Sequence, residues 1–458
     1  DGARAGGAVV SDANALDAQG WPSGRPAVLV DDTLAALQAL ATYHRRRLPA
    51  DAPVVAITGS CGKTTVRKLA ALCLASRYGA GGVHATRGNL NNHVGVPLTL
   101  LAAPPRTTRA VVLEMGMSAP GEIDELQRLA EPSVRVVTNV GPVHLEGCGS
   151  LDGVARAKSE LVAGARPGDI CVLNADDPRV AAMRDVAREA GASVLTFGRA
   201  DTADVRLLGA RPCVCDGAAA GGLAGDGSAE GGEDRSRDDD GGGGTHARRG
   251  SVTGTAIACD VCGTGVEFEV RAPGEHVGEC VAAALAAGFA AGAAPDAMAR
   301  ALAREYEPEP MRLAAEDLPG GALLLNDAYN SNPMSLRSAL ATLAAYPPPL
   351  PSGRRVALIG DMLELGESAR EAHEAALSDA LDGGRFDVVG VAGELFVSAA
   401  EERAAAAAAA PPPGVTLIAA PDAASLGEQV AARGGVRAGD VLLLKGSRGT
   451  RMELVLDA

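Results

Sequence analysis

The chain has 458 residues, and at ~150 residues per domain this length suggests about three domains. Apolar residues make up 47% of the chain and charged residues 22%, a composition that supports sizeable cores and excludes wholesale disorder. The 42 Lys and Arg residues against 57 Asp and Glu give a net charge of −15, and no long apolar run occurs, so neither general nucleic-acid binding nor a membrane span is expected.

The first half of the chain alternates apolar runs with helix-like segments. A short apolar run at 27–30 and a helix-like stretch at 33–47 are too little for an independent domain. From residue 54 onward, buried-strand patterns alternate with helical ones, which predicts a parallel α/β sheet. Strands are predicted at 54–57, 110–114, 134–138 and 170–173, and helices at 66–76, 121–130, 150–163 and 178–190.

Residues 216–250 break this rhythm. They are almost all Gly, Asp, Ala, Ser and Arg, a composition that cannot bury enough apolar surface to offset chain entropy, and they are predicted to be a disordered insertion. A strand at 266–270 and an Ala-rich helix at 279–292 follow. A second α/β pattern starts near Met311 and predicts a separate doubly wound domain. Its strands are predicted at 322–325, 355–359, 387–391, 415–418 and 441–444, and its helices at 333–345, 368–382 and 424–433.

The nine cysteines are odd in number and scattered, which indicates reduced thiols rather than a disulfide framework. Cys213 and Cys215 form one close pair and Cys259 and Cys262 another, and four thiolates can hold a structural zinc ion. The alternative is that these cysteines are small buried hydrophobic side chains. We expect the alternative, because a long Gly- and Asp-rich stretch separates the two pairs.

The strongest motif is the sequence TGSCGKTT, which lies between the first strand of the sheet and its helix. The backbone N–H groups of such a turn and the N-terminus of the following helix favour phosphate. Lys63 is expected to reach the β- and γ-phosphates, and the hydroxyl of Thr64 is expected to bind Mg²⁺. The nucleotide-binding residues predicted on this loop are Gly59, Ser60, Cys61, Gly62, Lys63, Thr64 and Thr65.

Other polar side chains follow predicted strands, where sheets of this class bind ligands. Glu114 ends a strand beside the loop and is either a ligand of Mg²⁺ or a solvated carboxylate. A lone histidine such as His144 is more often structural than a ligand, and Lys158 would usually be a surface lysine. Three asparagines after Gly88 suit either a sugar or peptide site or simple turns. These asparagines are Asn89, Asn91 and Asn92, and the remaining polar residues that follow predicted strands are Asp327, Asn330, Asp361, Glu364 and Lys445.

Together these motifs resemble the Mur ligases of peptidoglycan synthesis, and the resemblance covers nearly everything except 200–265. The sequences GNLNN, YNSNP and GDMLELG, in this order, point to the members that join D-Ala-D-Ala to UDP-N-acetylmuramoyl-tripeptide. The segments that carry the resemblance are 58–65, 88–99, 113–116, 144–160, 173–178, 326–335, 360–366 and 444–453.

The resemblance implies an α/β protein of three domains. Residues 1–47 are expected to be the remnant of a truncated uridine-binding domain, 48–309 a P-loop-type ATP-binding domain with a parallel sheet, and 310–458 a Rossmann-like ligase domain. ATP would convert the tripeptide carboxylate to an acyl phosphate, which the amine of D-Ala-D-Ala then attacks. The resemblance also implies a monomer in the cytoplasm, or in the plastid stroma if the source bears plastids.

The resemblance further implies roles for individual residues. Lys63, His144 and Lys158 are expected to be catalytic. Two Mg²⁺ ions are expected on Thr64, Glu114, His144 and Lys158, the last as a carbamate. Residues expected to contact ATP outside the loop are His276, Arg312, Asp327 and Asn330, and those expected to contact the other substrates are Asn89, Asn91, Asn92, Asp361, Glu364 and Lys445.

Three features depart from the family pattern: the short N-terminal part, the insertion, and the loss of two asparagines. Val277 and Cys280 stand where the family has asparagines, of which the second contacts adenine, and the loss is expected to cost about 1–3 kcal/mol of ATP binding. Two alternatives to the ligase that adds D-Ala-D-Ala therefore stay open. One is a catalytically weak Mur-like binding or scaffold protein, and the other is a related ATP-dependent ligase for another amino-acid substrate.

Overall fold

The computed structural model describes residues 6–18, 21, 24–214, 252–405 and 411–457. The predicted insertion at 216–250 and Cys215 lie outside the described residues. Within the described ranges, no helix is both long and apolar enough to cross a membrane.

The N-terminal unit, residues 6–47, is small. Two short parallel strands pair with each other and leave Val28 and Leu29 largely exposed. Trp21, the sole tryptophan of the sequence, lies between them in the chain and donates from Nε1 to the carbonyl of Arg25 at 3.4 Å. The helix that leads into the next unit begins where the carboxylate of Asp32 caps its first N–H groups. The elements are β1 (Ala8–Val10), α1 (Asn14–Ala18), β2 (Ala27–Leu29) and α2 (Thr33–Arg45).

A nine-stranded sheet forms the centre of the molecule. Its strands, in chain order, are β3 (Val54–Thr58), β4 (Val83–Ala85), β5 (Ala110–Glu114), β6 (Val134–Val137), β7 (Ile170–Asn174), β8 (Ser193–Gly198), β9 (Val205–Val214), β10 (Val252–Val261) and β11 (Thr264–Val270). The spatial order is β11-β10-β9-β8-β7-β6-β3-β5-β4. Pairing is parallel from β4 to β9 and antiparallel from β9 to β11.

Helices cover both faces of this sheet. They are α3 (Lys63–Tyr78), α4 (Gly95–Leu101), α5 (Glu122–Ala130), α6 (Leu145–Cys148), α7 (Leu151–Ala163), α8 (Pro178–Glu189), α9 (His276–Ala290) and α10 (Pro295–Glu305). Aromatic residues are only 2% of the chain, so the core under α3 and α9 consists mainly of Val, Leu, Ala and Cys side chains. The small side chains of α9 allow close packing: Gly288 faces Cys73 of α3, and a Cβ at Gly288 would lie 2.8 Å from the Cβ of Cys73.

The C-terminal part is a six-stranded sheet of the doubly wound kind. Its spatial order is β12-β13-β17-β14-β15-β16, parallel except for the edge strand β12. Its elements are β12 (Ala314–Asp317), β13 (Leu323–Asp327), α11 (Pro333–Ala345), β14 (Arg355–Gly360), α12 (Ala369–Leu381), β15 (Val388–Ala392), α13 (Glu394–Ala405), β16 (Thr416–Ala420), α14 (Ala423–Ala432) and β17 (Val441–Lys445). The predicted α/β class is confirmed. The domain boundaries at residues 48 and 310, and the interpretation of residues 1–47 as a truncated domain, stay predictions.

Asp440 is a buried junction of the C-terminal sheet. Its carboxylate accepts hydrogen bonds from the guanidinium of Arg354 at 2.7 Å and from the backbone N–H groups of Arg354 and Arg437, each at 2.9 Å. Burial by itself would raise the pKa of Asp440, but these donors and the charge of Arg354 outweigh it and hold the pKa below its ordinary value of 3.8. The ion pair therefore stabilises the fold only while the carboxylate is charged.

We expect Asp440→Asn to lower the free energy of unfolding by about 3 kcal/mol at neutral pH, because it leaves a largely buried guanidinium without its counter-ion. The pKa is lower in the folded state, so this difference from wild type is complete above the unfolded pKa and shrinks as the pH falls below about 4. Urea unfolding at several pH values measures it. Asp387→Asn is the matched control, because Asp387 is exposed and accepts one backbone N–H, from Arg355. An equal loss in both variants would contradict the expectation.

Candidate active site

A cleft of about 590 Å³ lies where the carboxyl ends of the central strands face those of the C-terminal sheet. Most of the predicted site residues line it, whereas Gly59, Lys158 and Asp361 do not. The predicted residues that line the cleft are Ser60, Cys61, Gly62, Lys63, Thr64, Thr65, Asn89, Asn91, Asn92, Glu114, His144, His276, Arg312, Asp327, Asn330, Glu364 and Lys445.

The predicted phosphate loop connects β3 to α3 in a conformation that requires two glycines. Gly59 has a φ of 152°, and a Cβ there would collide with the hydroxyl of Thr138. Gly62 has a φ of 80° and caps α3 without any side-chain hydrogen bond to the first turn. The N–H groups of that turn are therefore left for a ligand, and the positive end of the helix favours an anion.

The loop is held in place by the residues that follow β6. The backbone N–H of Cys61 donates to Oδ1 of Asn139 at 2.8 Å, and the hydroxyl of Thr138 donates to the carbonyl of Cys61 at 2.8 Å. The N–H of Gly141 donates to the hydroxyl of Ser60 at 2.8 Å. These contacts fix the shape of the loop before any ligand binds, and sequence reasoning did not identify Asn139, although it follows a predicted strand.

Lys63 bends back over the loop. Its Nζ donates to the carbonyl of Gly59 at 2.7 Å. Burial lowers the pKa of Lys63, the charge of Glu114 partly offsets this, and the positive charge of Arg312 lowers it further. Two cations thus converge on the cleft from the two sheets, and an anionic ligand between them would stabilise both charges.

Glu114 is a buried carboxylate at the end of β5. Its Oε1 accepts from Nδ2 of Asn91 at 2.8 Å, so one of the predicted asparagines holds this carboxylate in place. Its Oε2 lies 3.6 Å from Nε of Arg67, and both of these buried atoms are without a hydrogen-bond partner in the described part of the chain. A carboxylate oxygen with free lone pairs beside the hydroxyl-bearing loop suits a hard divalent cation.

His144 and Lys158 are close enough to Lys63 that, besides burial, its charge lowers the pKa of both. His144 has a left-handed backbone, with a φ of 53°, and its Nδ1 is 2.7 Å from Oε2 of Glu364, which has a φ of 64°. Burial lowers the pKa of His144, and Glu364 partly restores it. Lys158 is 1% exposed, and burial followed by the charge of Lys63 lowers its pKa to about 7. A substantial fraction of Lys158 is therefore an uncharged amine at neutral pH.

Unaltered side chains do not complete a metal centre here. No group of three or more His, Cys, Asp or Glu residues with metal-binding geometry exists among the described residues. The predicted set of Thr64, Glu114, His144 and Lys158 contains one carboxylate, so it needs further oxygen ligands from a substrate or from a modified lysine. The same finding holds for Cys213, Cys259 and Cys262, although the fourth cysteine of the zinc alternative is not described.

The C-terminal sheet contributes a second polar cluster. Nζ of Lys445 is 2.6 Å from Oδ2 of Asp327 and 3.0 Å from the carbonyl of Asn330. His276 lies beside this pair, its pKa lowered by burial, and its Nδ1 has no partner among the described residues. The guanidinium of Arg312 stacks 4.0 Å from the ring centroid of Tyr329. These groups face the phosphate loop across the cleft.

The central and C-terminal parts also contact each other directly beside the cleft. The thiol of Cys61 donates to Oδ1 of Asn332 at 3.2 Å. Gly141 packs against Met334 so closely that a Cβ on the glycine would collide with the sulfur. Asn332 also caps α11. It belongs to a motif in the sequence, but nothing in the motif indicates that it touches the phosphate loop.

Two predicted substrate contacts have structural partners. The carboxylate of Asp361 accepts from the N–H groups of Leu395 and Phe396 at 3.1 and 3.0 Å, so it caps α13 and does not point into the cleft. Oδ1 of Asn92 accepts from the N–H of Gly95 at 2.9 Å at the start of α4. Asn92 still lines the cleft, whereas Asp361 does not.

A second cavity of about 430 Å³ adjoins the cleft and shares His276, Glu279 and Ser338 with it. Val277, one of the two residues in place of a family asparagine, is buried in the core. Cys280, the other, lies against the phosphate loop, with its sulfur 3.2 Å from where a Cβ of Gly62 would be. Burial raises the pKa of Cys280 to about 12, so it is a neutral thiol that offers a nucleobase far weaker hydrogen bonds than an amide.

Family models match both large parts of the chain. The Mur ligase middle domain matches residues 57–211, and the Mur ligase, glutamate ligase domain matches residues 311–448. Among curated proteins, the UDP-N-acetylmuramoyl-tripeptide–D-alanyl-D-alanine ligase of Bacillus subtilis is 31% identical over 77% of this chain and 65% of its own length. The protein of the same name from Mycobacterium bovis is 34% identical over 93% of this chain and 76% of its own length. The chain thus spans less than two-thirds of the B. subtilis relative.

Solved structures agree with the family models. MurF from Acinetobacter baumannii superimposes with a TM-score of 0.75 and 25% identity, over 94% of this chain and 81% of that one. MurF ligase from Thermotoga maritima, solved in complex with ADP, gives a TM-score of 0.72 and 25% identity, over 95% and 85%. Domain models, relatives and structures therefore agree with the cleft geometry: the chain belongs to the Mur ligase family.

Proposed function

We propose that the protein is an ATP-dependent amide ligase that joins D-Ala-D-Ala to UDP-N-acetylmuramoyl-tripeptide in peptidoglycan precursor synthesis. The observation that carries the proposal is that three features meet in one cleft beside the buried carboxylate of Glu114. They are the N-terminus of α3, which has no side-chain cap, the ammonium of Lys63 and the guanidinium of Arg312. The names of the relatives from B. subtilis and M. bovis supply the two substrates.

The proposed reaction has two steps. An oxygen of the tripeptide carboxylate attacks the γ-phosphorus of ATP, so that ADP leaves and an acyl phosphate forms. The amine of D-Ala-D-Ala then attacks the acyl carbon, and the bond to the phosphate oxygen breaks. Phosphate leaves, the nitrogen loses a proton, and an amide remains. Positioning and neutralisation of phosphate charge are the main requirements of the first step.

Each side of the cleft has a role in this proposal. The loop N–H groups from Gly62 to Thr65 and Nζ of Lys63 hold the phosphates, since the N–H groups of Ser60 and Cys61 already bind Asn139. Arg312, with Asp327 and Asn330, approaches ATP from the C-terminal part, and His276 approaches it from the start of α9. Asn89, Asn91 and Asn92 hold the muramoyl peptide. Glu364 and Lys445 are the charged groups on the side from which the dipeptide amine arrives.

The residues present fit divalent cations, because Glu114 has a buried oxygen without a hydrogen-bond partner among the described residues and Thr64 lines the same cleft. We place one Mg²⁺ on Thr64 and Glu114 and another on His144 and Lys158. Bound Mg²⁺ would neutralise charge on the phosphate oxygens. The low pKa of Lys158 supports its carbamylation, in which the uncharged amine adds to CO₂ and loses a proton. The product is an anion with two oxygen ligands.

The changed nucleobase side favours one competing function. Because Val277 is buried and Cys280 is a neutral thiol, a weak ATP site would make the protein a Mur-like binding or scaffold module. A ligase for another amino acid is the other alternative. We propose that the protein acts as a monomer in the cytoplasm, where ATP and nucleotide-linked precursors are available, or in the stroma of a plastid.

Phosphate release from Mg-ATP separates these functions. We expect release only when UDP-N-acetylmuramoyl-tripeptide and D-Ala-D-Ala are both present, with one phosphate per amide formed. Release with other amines at equal efficiency would favour the broader ligase. No release, from a protein that is folded by circular dichroism and binds the muramoyl peptide, would favour the binding module.

A further inference from the structure

Arg67 of α3 is a buried arginine whose guanidinium has three oxygen atoms near it. Nη1 donates to the carbonyl of Thr86, and Nη2 donates to Oε1 of Glu309 at 3.0 Å. Nε lies 3.6 Å from Oε2 of Glu114, beyond hydrogen-bond distance. The side chains of Arg67 and Glu114 are 7% and 4% exposed, against 33% for Glu309.

The gap between Arg67 and Glu114 needs an explanation. Two buried, oppositely charged groups normally close to a hydrogen bond, often a bidentate one, because unsatisfied buried polar atoms are costly. Here Nε of Arg67 and Oε2 of Glu114 face each other as an ion pair at 3.6 Å, and neither atom has a hydrogen-bond partner among the described residues. The guanidinium is a rigid plane, so its two bonds to Thr86 and Glu309 fix where its third edge lies. Glu309 therefore restrains Arg67 from completing the pair with Glu114.

Glu309 lies in the segment that joins the two sheets. Its carbonyl accepts from the N–H of Arg312 at 3.1 Å. Met311 and Leu313, on either side of Arg312, both have left-handed backbones, with φ of 59° and 52°. Such conformations are rare for these residues and persist where surrounding contacts determine them. The position of Glu309 is thus tied to the placement of the C-terminal sheet.

We propose that Glu309 is a positioning residue that, by binding Arg67, keeps Oε2 of Glu114 free for a divalent cation. Without this contact, Arg67 shortens its 3.6 Å approach to Glu114 to a full hydrogen bond and competes more strongly with the cation for the same oxygen. Cation affinity then depends on where the connecting segment lies, so the cation binds best when Arg312 is at the cleft. This inference rests on the proposed function, because it needs Glu114 to be a cation ligand.

The test is the Mg²⁺ dependence of ADP binding, measured by isothermal titration calorimetry on the full chain. Wild type is expected to bind ADP more tightly with Mg²⁺ than without. In Glu309→Gln this strengthening by Mg²⁺ is expected to fall about five- to tenfold, while ADP affinity without Mg²⁺ changes less than about twofold. Glu309→Asp, which keeps the charge, should restore part of the effect.

Glu307→Gln is the matched control. Glu307 lies two residues earlier, is exposed, and pairs with Arg271 at 3.6 Å, so its loss should leave the Mg²⁺ dependence unchanged. A Glu309→Gln protein that melts like wild type and keeps the full Mg²⁺ effect would overturn this inference and leave the cation assignment and the proposed function standing. A wild type that binds ADP with no Mg²⁺ effect would overturn it together with the cation assignment, and a wild type that binds no ADP would overturn the proposed function as well.

Discussion

Replacing Lys63 by methionine is expected to lower the rate of phosphate release roughly 10²- to 10³-fold, the usual cost of losing one preorganised group that stabilises charge in the transition state. Methionine keeps the length and apolar stem of lysine, so the loop should retain its shape through Asn139 and Thr138. What is lost is the ammonium that faces the cleft opposite Arg312. Initial rates with saturating ATP and both co-substrates measure the effect.

Lys68→Met is the matched control for this variant. Lys68 is on the same helix and does not line the cleft, so the variant should keep a rate within about twofold of wild type. ADP affinity should fall in Lys63→Met and not in Lys68→Met. If Lys63→Met released phosphate at the wild-type rate, the assignment of the triphosphate to this loop would be wrong.

Replacing Lys158 by alanine is expected to lower kcat roughly 10²- to 10³-fold with a small change in KM, because Lys158 acts on the reacting phosphate and not on substrate recognition. Lys158 is buried and does not itself line the cleft. Its effect on the reaction therefore has to pass through the cation that its carbamate is proposed to bind. A carbamate is anionic, and its loss would remove the oxygen ligands that it contributes beside His144 to the proposed cation site. Steady-state kinetics in buffers with and without added bicarbonate measure the effect.

Two further variants distinguish the carbamate from a plain cation. Lys158→Arg keeps a positive charge and cannot react with CO₂ in this way, so it should be as slow as Lys158→Ala. Arg156→Ala removes an exposed cation from the same helix and should be close to wild type. Full activity of Lys158→Arg would show that charge alone suffices and would contradict carbamylation.

The central fold is largely predictable because its parallel strands are buried on both faces. The predicted strands at 54–57, 110–114, 134–138 and 170–173 are mostly apolar, and all four are confirmed within one residue. The sequence patterns do not predict β4, β8, β9 or β10. β9 contains Gly209, Arg211 and Pro212, so its apolar run is interrupted, and it pairs antiparallel with β10 across 37 residues of chain that lie outside the description.

The candidate site is predictable where a residue follows a strand and not where it acts through another residue. Lys63, Glu114 and Asp327 all stand at or after strand ends, and the structure brings them to one cleft. Arg67 reads as an ordinary helix residue, and only the three-dimensional structure shows its contact with Glu309, 242 positions away. Asp361 also follows a strand, yet it caps a helix, because the strand-end position does not determine where a carboxylate turns.

The location of Trp21 has a consequence for spectroscopy. As the sole tryptophan, packed beside Arg25 in the N-terminal unit, it is the source of nearly all long-wavelength intrinsic fluorescence. Its emission therefore reports on residues 6–47, while far-ultraviolet circular dichroism reports mainly on the two large sheets and their helices. Separate midpoints for the two signals in one denaturant titration would show that the N-terminal unit unfolds independently. A Tyr329→Trp variant would put a second fluorophore under Arg312, inside the cleft.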